Sequence, residues 1–171
     1  MRKTILFITS LLLIVGCVSF QYKVTEDLDP YTKTNLISES WNRTHGISGS
    51  IELNFVYEKN LDLKYLSFHY RDIDWLFIGP KDSFMFLFSD DGVLTLSPST
   101  DVSTNVSSGG GVVMVEEWGL IKLGEEELDQ LLKKTIIGLR VNGKDFHREY
   151  NTEFPAIQAR WRAFSTKYFS G

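Results

Sequence analysis

Residues 51–57 read IELNFVY, and this stretch decides the fold class. Apolar Ile51, Leu53 and Phe55 alternate with polar positions such as Glu52. Successive side chains of a β-strand point to opposite faces, so this alternation is typical of a strand with one buried and one solvated face. Half-buried strands of this kind belong to antiparallel sheets. The stretch therefore predicts an antiparallel β-sheet in the middle of the chain.

A hairpin and a loop are predicted further along the chain. Residues 84–88 read FMFLF, an unbroken apolar run that is typical of a strand covered on both faces. The DDG sequence at 90–92 is typical of a tight turn, so we expect residues 84–97 to form a β-hairpin. Residues 98–111 are rich in Ser, Thr, Asn and Gly, and this composition predicts a mobile loop.

Two helices are predicted on either side of a second hairpin. Residues 125–134 open with acidic side chains and close with lysines, in agreement with the helix dipole, and their leucines share one face. In residues 153–168, apolar and aromatic side chains recur every three or four positions, which predicts an amphipathic helix that closes the core. Between the helices, Asn142-Gly143 is typical of a two-residue hairpin turn.

The order of these elements predicts the fold class and the domain organisation. Strands followed by a helix, a hairpin and a helix indicate an α+β fold, mainly an antiparallel sheet or sandwich. We expect one globular domain over residues 47–171. Residues 17–46 are polar without sustained periodicity and are interpreted as a tether. From Trp118 onward, the order of strand, Glu/Leu helix, Asn-Gly hairpin and aromatic helix resembles that of small uncharacterised bacterial envelope proteins, which implies architecture only.

The beginning of the chain carries a targeting pattern. Arg2 and Lys3 form a positive head, and residues 4–16 form an apolar run without a charge. As a helix this run would be about 20 Å long, which is shorter than a hydrocarbon core of about 30 Å. Residues 1–16 are therefore predicted to be a cleaved signal peptide and not a membrane span.

The end of this run, residues 13–17, reads LIVGC and resembles the lipobox of bacterial lipoproteins. The resemblance implies that the chain is cut before Cys17, that the thiol receives diacylglycerol, and that in many bacteria the new amine is acylated, for instance with palmitate. Cys17 is the only cysteine in the chain, so acylation would leave no free thiol in an oxidising compartment. We predict lipidation of Cys17 and attachment to the outer side of a membrane.

The residue after this cysteine bears on which membrane holds the protein. In Gram-negative lipoproteins an Asp at this position keeps the protein at the inner membrane, whereas this chain has Val18. The resemblance therefore implies the outer membrane if the host is Gram-negative. Two acyl chains on one residue would hold the protein firmly, because a single chain binds only reversibly.

Composition narrows the classes of partner. The formal net charge is −4, and removal of residues 1–16 would take away Arg2 and Lys3 but no acidic residue. A mildly acidic chain with dispersed bases argues against nucleic-acid binding, which requires a basic stripe. The 12 Phe, 7 Tyr and 4 Trp predict either a dense aromatic core or an exposed aromatic patch that binds sugar, peptide or lipid.

The sequence lacks the common motifs for metal binding and catalysis. His45, His69 and His147 are isolated in the sequence and lack an HExxH motif or a cysteine partner, so neither a metal site nor a cofactor is predicted. Asp90 and Asp91 lack the ladder of oxygen ligands that marks a calcium loop. The chain also lacks the GxSxG and SxxK motifs of serine nucleophiles.

Adjacent carboxylates form the remaining candidates. Glu116 and Glu117 are neighbours in a predicted strand and therefore point to opposite faces. Whichever of the two faces inward needs a partner, and Arg140 or Arg148 is the expected one.

Three functions remain open at the level of the sequence. The first is a non-enzymatic, membrane-anchored binding module for an envelope protein or a small ligand. The second is an envelope-directed hydrolase that works through carboxylates such as Asp72, Asp74 or Glu117. The third is an inhibitor or immunity-type protein that plugs an enzyme with residues 98–111, which requires that segment to be rigid and exposed.

Overall fold

A computed structural model describes residues 22–30, 33–40, 42–46, 49–109 and 111–169 of the chain. These residues form eleven strands and two helices. The elements, in chain order, are β1 Lys23–Leu28, β2 Asn35–Ser40, β3 Arg43–His45, β4 Ser50–Glu58, β5 Leu63–Asp72, β6 Phe84–Phe88, β7 Val93–Leu96, β8 Ser103–Gly109, β9 Val112–Leu123, α1 Glu125–Lys133, β10 Ile136–Asn142, β11 His147–Tyr150 and α2 Phe154–Tyr168.

The strands form two antiparallel sheets. The large sheet has seven strands in the order β1-β2-β4-β5-β9-β8, and β3 also pairs with β4. The small sheet has four strands in the order β11-β10-β6-β7. This architecture confirms the predicted α+β class with a mainly antiparallel sheet, and both predicted helices are present within a residue of their expected bounds.

The core lies between the inner faces of the two sheets and is closed by α2. Phe68 of the large sheet packs on Phe84 of the small sheet, with ring centroids 4.7 Å apart. Trp161 of α2 stacks on Phe55 at 4.9 Å, and its indole Nε1 donates a hydrogen bond to the Leu53 carbonyl at 3.1 Å. Aromatic pairs of this kind add stabilisation beyond the burial of their area. The aromatic stripe of α2 thus seals the core as the sequence predicted.

One buried amide joins the helices to the small sheet. The Gln158 Nε2 of α2 donates to the carbonyls of Leu131 and Lys134, at the C-terminal end of α1, at 2.8 and 2.7 Å. The Gln158 Oε1 accepts from the backbone N–H of Ile136 at the start of β10. Because the last carbonyls of a helix have no partner within it, this side chain satisfies groups that burial would otherwise leave unpaired.

The N-terminal strands differ from the prediction. Residues 17–46 were interpreted as a tether, yet β1, β2 and β3 fall inside this range and pair in the large sheet. The physical reason is visible in β2, where Ile37 and Glu39 are buried and alternate with less buried neighbours. β2 reads NLISES, and one of its two buried residues is an acid, so no apolar alternation marks this strand in the sequence.

The predicted mobile loop at 98–111 was wrong as well. Residues 103–109 form β8, and each of them pairs with a residue of β9. A strand rich in serine and glycine has low intrinsic β-propensity, but the backbone of a long neighbouring strand supplies the partners that its side chains do not. The segment is therefore the edge strand of the large sheet.

The Asn142-Gly143 hairpin exists, but its turn is longer than predicted. The last pair of the β10–β11 ladder is Asn142 with His147, so four residues form the loop. The backbone N–H of Lys144 donates to the Leu76 carbonyl at 3.0 Å, and this contact fixes the loop against a segment far away in sequence.

Candidate functional site

Asp72 and Asp74, two of the predicted catalytic carboxylates, are joined by one arginine. Asp72 ends β5 and is completely buried, and its Oδ2 accepts a hydrogen bond from Arg148 Nε at 2.9 Å. The Arg148 Nη2 donates to Asp74 Oδ2, also at 2.9 Å. Arg148 belongs to β11, so the ion pair links the large sheet to the small one. The geometry is that of a structural clamp between the two layers.

The Asp72 end of this clamp is closed to solvent. A Cβ on Gly49 would lie 2.7 Å from the Asp72 carboxylate, so the backbone approaches the acid closely on that side. Burial and the neighbouring Asp72 charge raise the pKa of both Tyr70 and Tyr150 above the ordinary value of a phenol. The Tyr70 hydroxyl donates to the Asp74 carbonyl at 2.8 Å. Asp72 is therefore desolvated and enclosed by its own domain.

Glu117 is the inward-facing acid of the pair in β9, and it is also completely buried. Its carboxylate accepts three backbone N–H groups, from residues 76, 77 and 78, at 2.7, 2.8 and 2.7 Å. The predicted arginine partners were wrong, because Arg140 pairs with Glu149 and Arg148 holds the aspartates. Backbone amides of an irregular segment leave no periodic signal in sequence, so this pairing was not predictable.

The carboxylates thus have structural partners and lie away from the surface depressions. Asp72, Asp74 and Glu117 line none of three depressions found on the surface of the described residues. Acids that act on a substrate need access to it within hydrogen-bond reach. Asp72 and Glu117 are completely buried and have no such access.

One further buried acid was not expected from the sequence. Glu39 of β2 accepts the backbone N–H of Phe55 at 2.8 Å through Oε1. Burial raises the pKa of this carboxyl to about 7, against the opposing effects of the Phe55 N–H, Asn42, Tyr22 and Arg160. The sequence carries no signal for this burial, because a glutamate in a polar stretch is ordinarily exposed to solvent.

The three histidines are separated in space. His45 lies 3.3 Å from Glu153, whereas His69 and His147 lie 3.9 and 3.7 Å from Glu116 and Glu149. Within the described ranges, no group of three His, Cys, Asp or Glu side chains is close enough to hold a metal ion. Each histidine therefore has a carboxylate neighbour of its own.

In the Asp90–Asp91 turn, Asp90 contacts Lys134 and the Gly92 N–H.

A shallow depression on the outer face of the large sheet contains an exposed aromatic side chain. Trp118 packs edge-on against His69, with ring centroids 6.0 Å apart. Glu116 stands beside them and is held by Arg71 at 2.6 Å. The depression encloses about 410 Å³ and is wide open. A ligand in this depression would contact one aromatic face and would be little enclosed at its sides.

A better-walled groove crosses the outer face of the small sheet, with a volume of about 330 Å³. Leu87 pairs with Val93 on one side and with Gly138 on the other, and directly paired residues share a face of the sheet. Gly138 has no side chain, so it leaves a gap between its neighbours. The groove is lined by Met85, Leu87, Val93, Ile137, Arg140 and Glu149.

The chemistry of this groove is apolar with a charged rim. Leu87, Val93 and Ile137 are 40%, 51% and 45% exposed, which is a concentration of bare aliphatic surface on one sheet face. Ile137 is the extra residue of a β-bulge, and bulges re-aim a side chain relative to a regular strand. At the rim, Arg140 contacts Glu149 at 2.6 Å and holds the pKa of that carboxyl below its ordinary value.

The sequence did not predict this groove, because residues 84–88 were interpreted as covered on both faces. That interpretation was wrong: Phe84, Phe86 and Phe88 are buried, whereas Leu87 faces solvent. The phenylalanines alternate with Met85 and Leu87, and this alternation was the available signal. An apolar residue on the outer face of a strand is informative, because it marks a surface that a ligand or partner can cover.

Comparisons with known proteins add no assignment. The chain matches no protein-family model, no curated protein and no solved structure. Cys17 and the predicted signal peptide lie outside the described residues. Within the part that is described, neither helix is long and apolar enough to cross a membrane. The function is therefore inferred from the residues themselves.

Proposed function

We propose that this protein is a lipid-anchored, extracytoplasmic binding module, and that it contacts an envelope protein through the groove of its small sheet. Cys17 would carry the lipid, and the β-rich domain would present the groove. The occupant we propose is an aliphatic side chain of the partner, flanked by a polar group that meets the rim. The observation that carries this proposal is the bare aliphatic groove on an otherwise well-packed domain.

The chemistry of the groove supports a protein partner. Interface cores combine exposed apolar side chains with a polar rim, and both features meet here in Leu87, Val93, Ile137 and the Arg140–Glu149 pair. The volume of about 330 Å³ is small for an organic ligand but suits one or two aliphatic side chains. Binding would cover apolar surface that is otherwise exposed to water.

The arrangement of the acids supports binding over hydrolysis. The two completely buried carboxylates, Asp72 and Glu117, are held by Arg148 and by three backbone amides. Each of these contacts connects parts of the domain that are far apart in sequence. A role in holding the fold accounts for both acids.

The experiment is site-specific photo-crosslinking of the full chain in living cells. A photoreactive residue replaces Val93 at the groove, and a matched one replaces Leu120 at the depression on the opposite sheet. We expect one discrete adduct from position 93 and a different pattern from position 120. The adduct is identified by mass spectrometry.

A second substitution tests whether the groove itself is occupied. A Cβ at Gly138 meets only the Tyr150 carbonyl at 3.7 Å and the Leu87 Cβ at 4.0 Å, so a side chain fits there without displacing backbone. Gly138→Val fills the groove and should abolish the adduct from position 93, whereas Gly79→Val, at a position with open space around it, should preserve it. An adduct that survives Gly138→Val, or that is identical from positions 93 and 120, would rule out the groove as the binding surface.

A further inference from the structure

The edges of the two sheets are not protected equally. Exposed edge strands invite pairing with other chains, and proteins counter this with charge, shortness or bulges. Among the described elements, β1 carries Lys23, Glu26 and Asp27. The edges of the small sheet, β7 and β11, are four residues long each. Of the four strands that end the two sheet orders, three therefore carry a recognisable protection.

The fourth edge, β8, carries none of these protections. It is seven residues long, reads STNVSSG, and contains no charged residue and no proline. Its ladder with β9 is regular, without a bulge. In the described part of the chain, β8 pairs with β9 alone. Its other side is an uncharged, regular strand edge.

The register of the β8–β9 hairpin shows which backbone groups face outward. The last pair of the ladder is Gly109 with Val112, two residues apart across the turn, and such a closing pair exchanges both hydrogen bonds. Hydrogen-bonded and non-bonded pairs then alternate along the ladder. Thr104, Val106 and Ser108 consequently direct their N–H and C=O groups away from β9.

We propose that β8 pairs antiparallel with β8 of a second copy of this chain, with Val106 opposite Val106. This register brings Thr104 opposite Ser108 of the second copy, so all three outward-facing residues find hydrogen-bonding partners. A shift by one pair in either direction leaves at least one of them unpaired. The two large sheets would join into one continuous sheet.

Charge and apolar surface support a second copy as the occupant. Although the chain is acidic overall, every residue brought together in this register is uncharged, so self-pairing meets no direct like-charge repulsion. Val106 and Val113 share a face of the hairpin and are 53% and 52% exposed. The pairing would place the two Val106 side chains against each other and cover this apolar surface.

The test traps the register with cysteines in the full chain. Asn105 faces Ser107 of the second copy in a non-bonded pair, for which the Cα atoms are about 4.5 Å apart, within the span of a disulfide. Chains carrying Asn105→Cys and chains carrying Ser107→Cys, with different tags, are produced together and mildly oxidised. We expect a disulfide-linked dimer that contains both tags, and little dimer from either variant alone.

Controls separate this pairing from chance collision. Val93→Cys with Thr95→Cys gives the same spacing on the β7 edge and should yield no mixed dimer, and the unmodified chain controls for Cys17. Val106→Lys in both chains should abolish the mixed dimer, because two lysines would then face each other. A mixed dimer no more abundant than that of the β7 pair, or one that persists with Val106→Lys, would overturn the proposal.

Discussion

At the scale of single residues, Glu39 is a buried carboxyl whose pKa lies well above its ordinary value. It is buried in β2, and a carboxylate that leaves water loses its hydration. The Phe55 N–H returns part of that stabilisation, but burial is the larger effect and raises the pKa to about 7. The folded state therefore binds a proton at Glu39 over a pH range in which the unfolded chain has released it.

This pKa shift predicts a dependence of stability on pH. Below the ordinary pKa of 4.5, Glu39 is protonated in both the folded and the unfolded state, so its titration does not change the free energy of unfolding. As the pH rises to about 7, only the unfolded state loses its proton, and the free energy of unfolding falls progressively. Above that pH, the total loss of unfolding free energy is about 3 kcal/mol. Glu39→Gln keeps an acceptor for Phe55 and should be more stable than the unsubstituted chain at pH 8, but not at pH 4.

Urea denaturation of both proteins at a series of pH values measures the effect. The informative quantity is the difference in unfolding free energy between the two proteins, because other titrating groups are common to both. A difference that stays constant from pH 4 to pH 8 would show that Glu39 titrates normally in the folded protein.

At the scale of elements, Glu117 holds the irregular segment between β5 and β6. Three successive backbone amides, from residues 76 to 78, converge on its carboxylate. Phe77 within this segment has a positive φ of 55°, which is unusual for a residue with a bulky side chain. The hydrogen bonds to Glu117 hold the backbone in that conformation.

We predict that Glu117→Gln destabilises the domain by about 1–3 kcal/mol, since the amide nitrogen cannot accept the N–H that faces it. Glu116→Gln is the matched control one residue away, because Glu116 lies on the outer face in a partly exposed ion pair, and such pairs contribute about 1 kcal/mol or less. Thermal unfolding followed by circular dichroism compares the two. Equal losses of stability in both variants would contradict the role of Glu117 in holding this segment.

The elements also show how far local sequence patterns reach. The alternation at residues 51–57 predicted β4 because periodicity is a property of neighbouring residues. The pairing of Asp72 with Arg148 joins residues 76 positions apart, and no local pattern reports it. Likewise, β8 was missed because its pairing comes from the backbone of β9 and not from its own side chains. Secondary structure was predictable from neighbouring residues. The candidate groove was not, because it depends on which sheet faces stay exposed after the two sheets pack together.

At the scale of the whole molecule, the proposed anchor and the sheet are close in sequence. Five residues lie between Cys17 and Lys23, the first residue of β1, and the six residue steps from one to the other span at most about 20 Å. Under the proposed lipidation, the β1 edge of the large sheet would therefore stay near the membrane surface. The predicted tether of 30 residues would have allowed a much wider range.

The lipid anchor itself is testable. Cys17→Ala should abolish incorporation of labelled palmitate and move the protein from the detergent phase to the aqueous phase, because the thiol that receives diacylglycerol is lost. Val18→Asp serves as the control, since it leaves the acceptor thiol in place and should retain the label. Unchanged partitioning of Cys17→Ala would refute lipidation at this residue.

The contact between Trp161 and the Leu53 carbonyl spans 108 positions of sequence. A ribosome has therefore produced β4 and β5 long before the helix that covers their aromatic row exists, and contacts of such separation slow folding because the intervening loop must first close. For a chain that leaves the cytoplasm by threading through a translocation channel, this delay is useful. Under the proposed export, this arrangement would postpone completion of the core and keep the polypeptide extended during translocation, and α2 would complete the fold on the far side of the membrane.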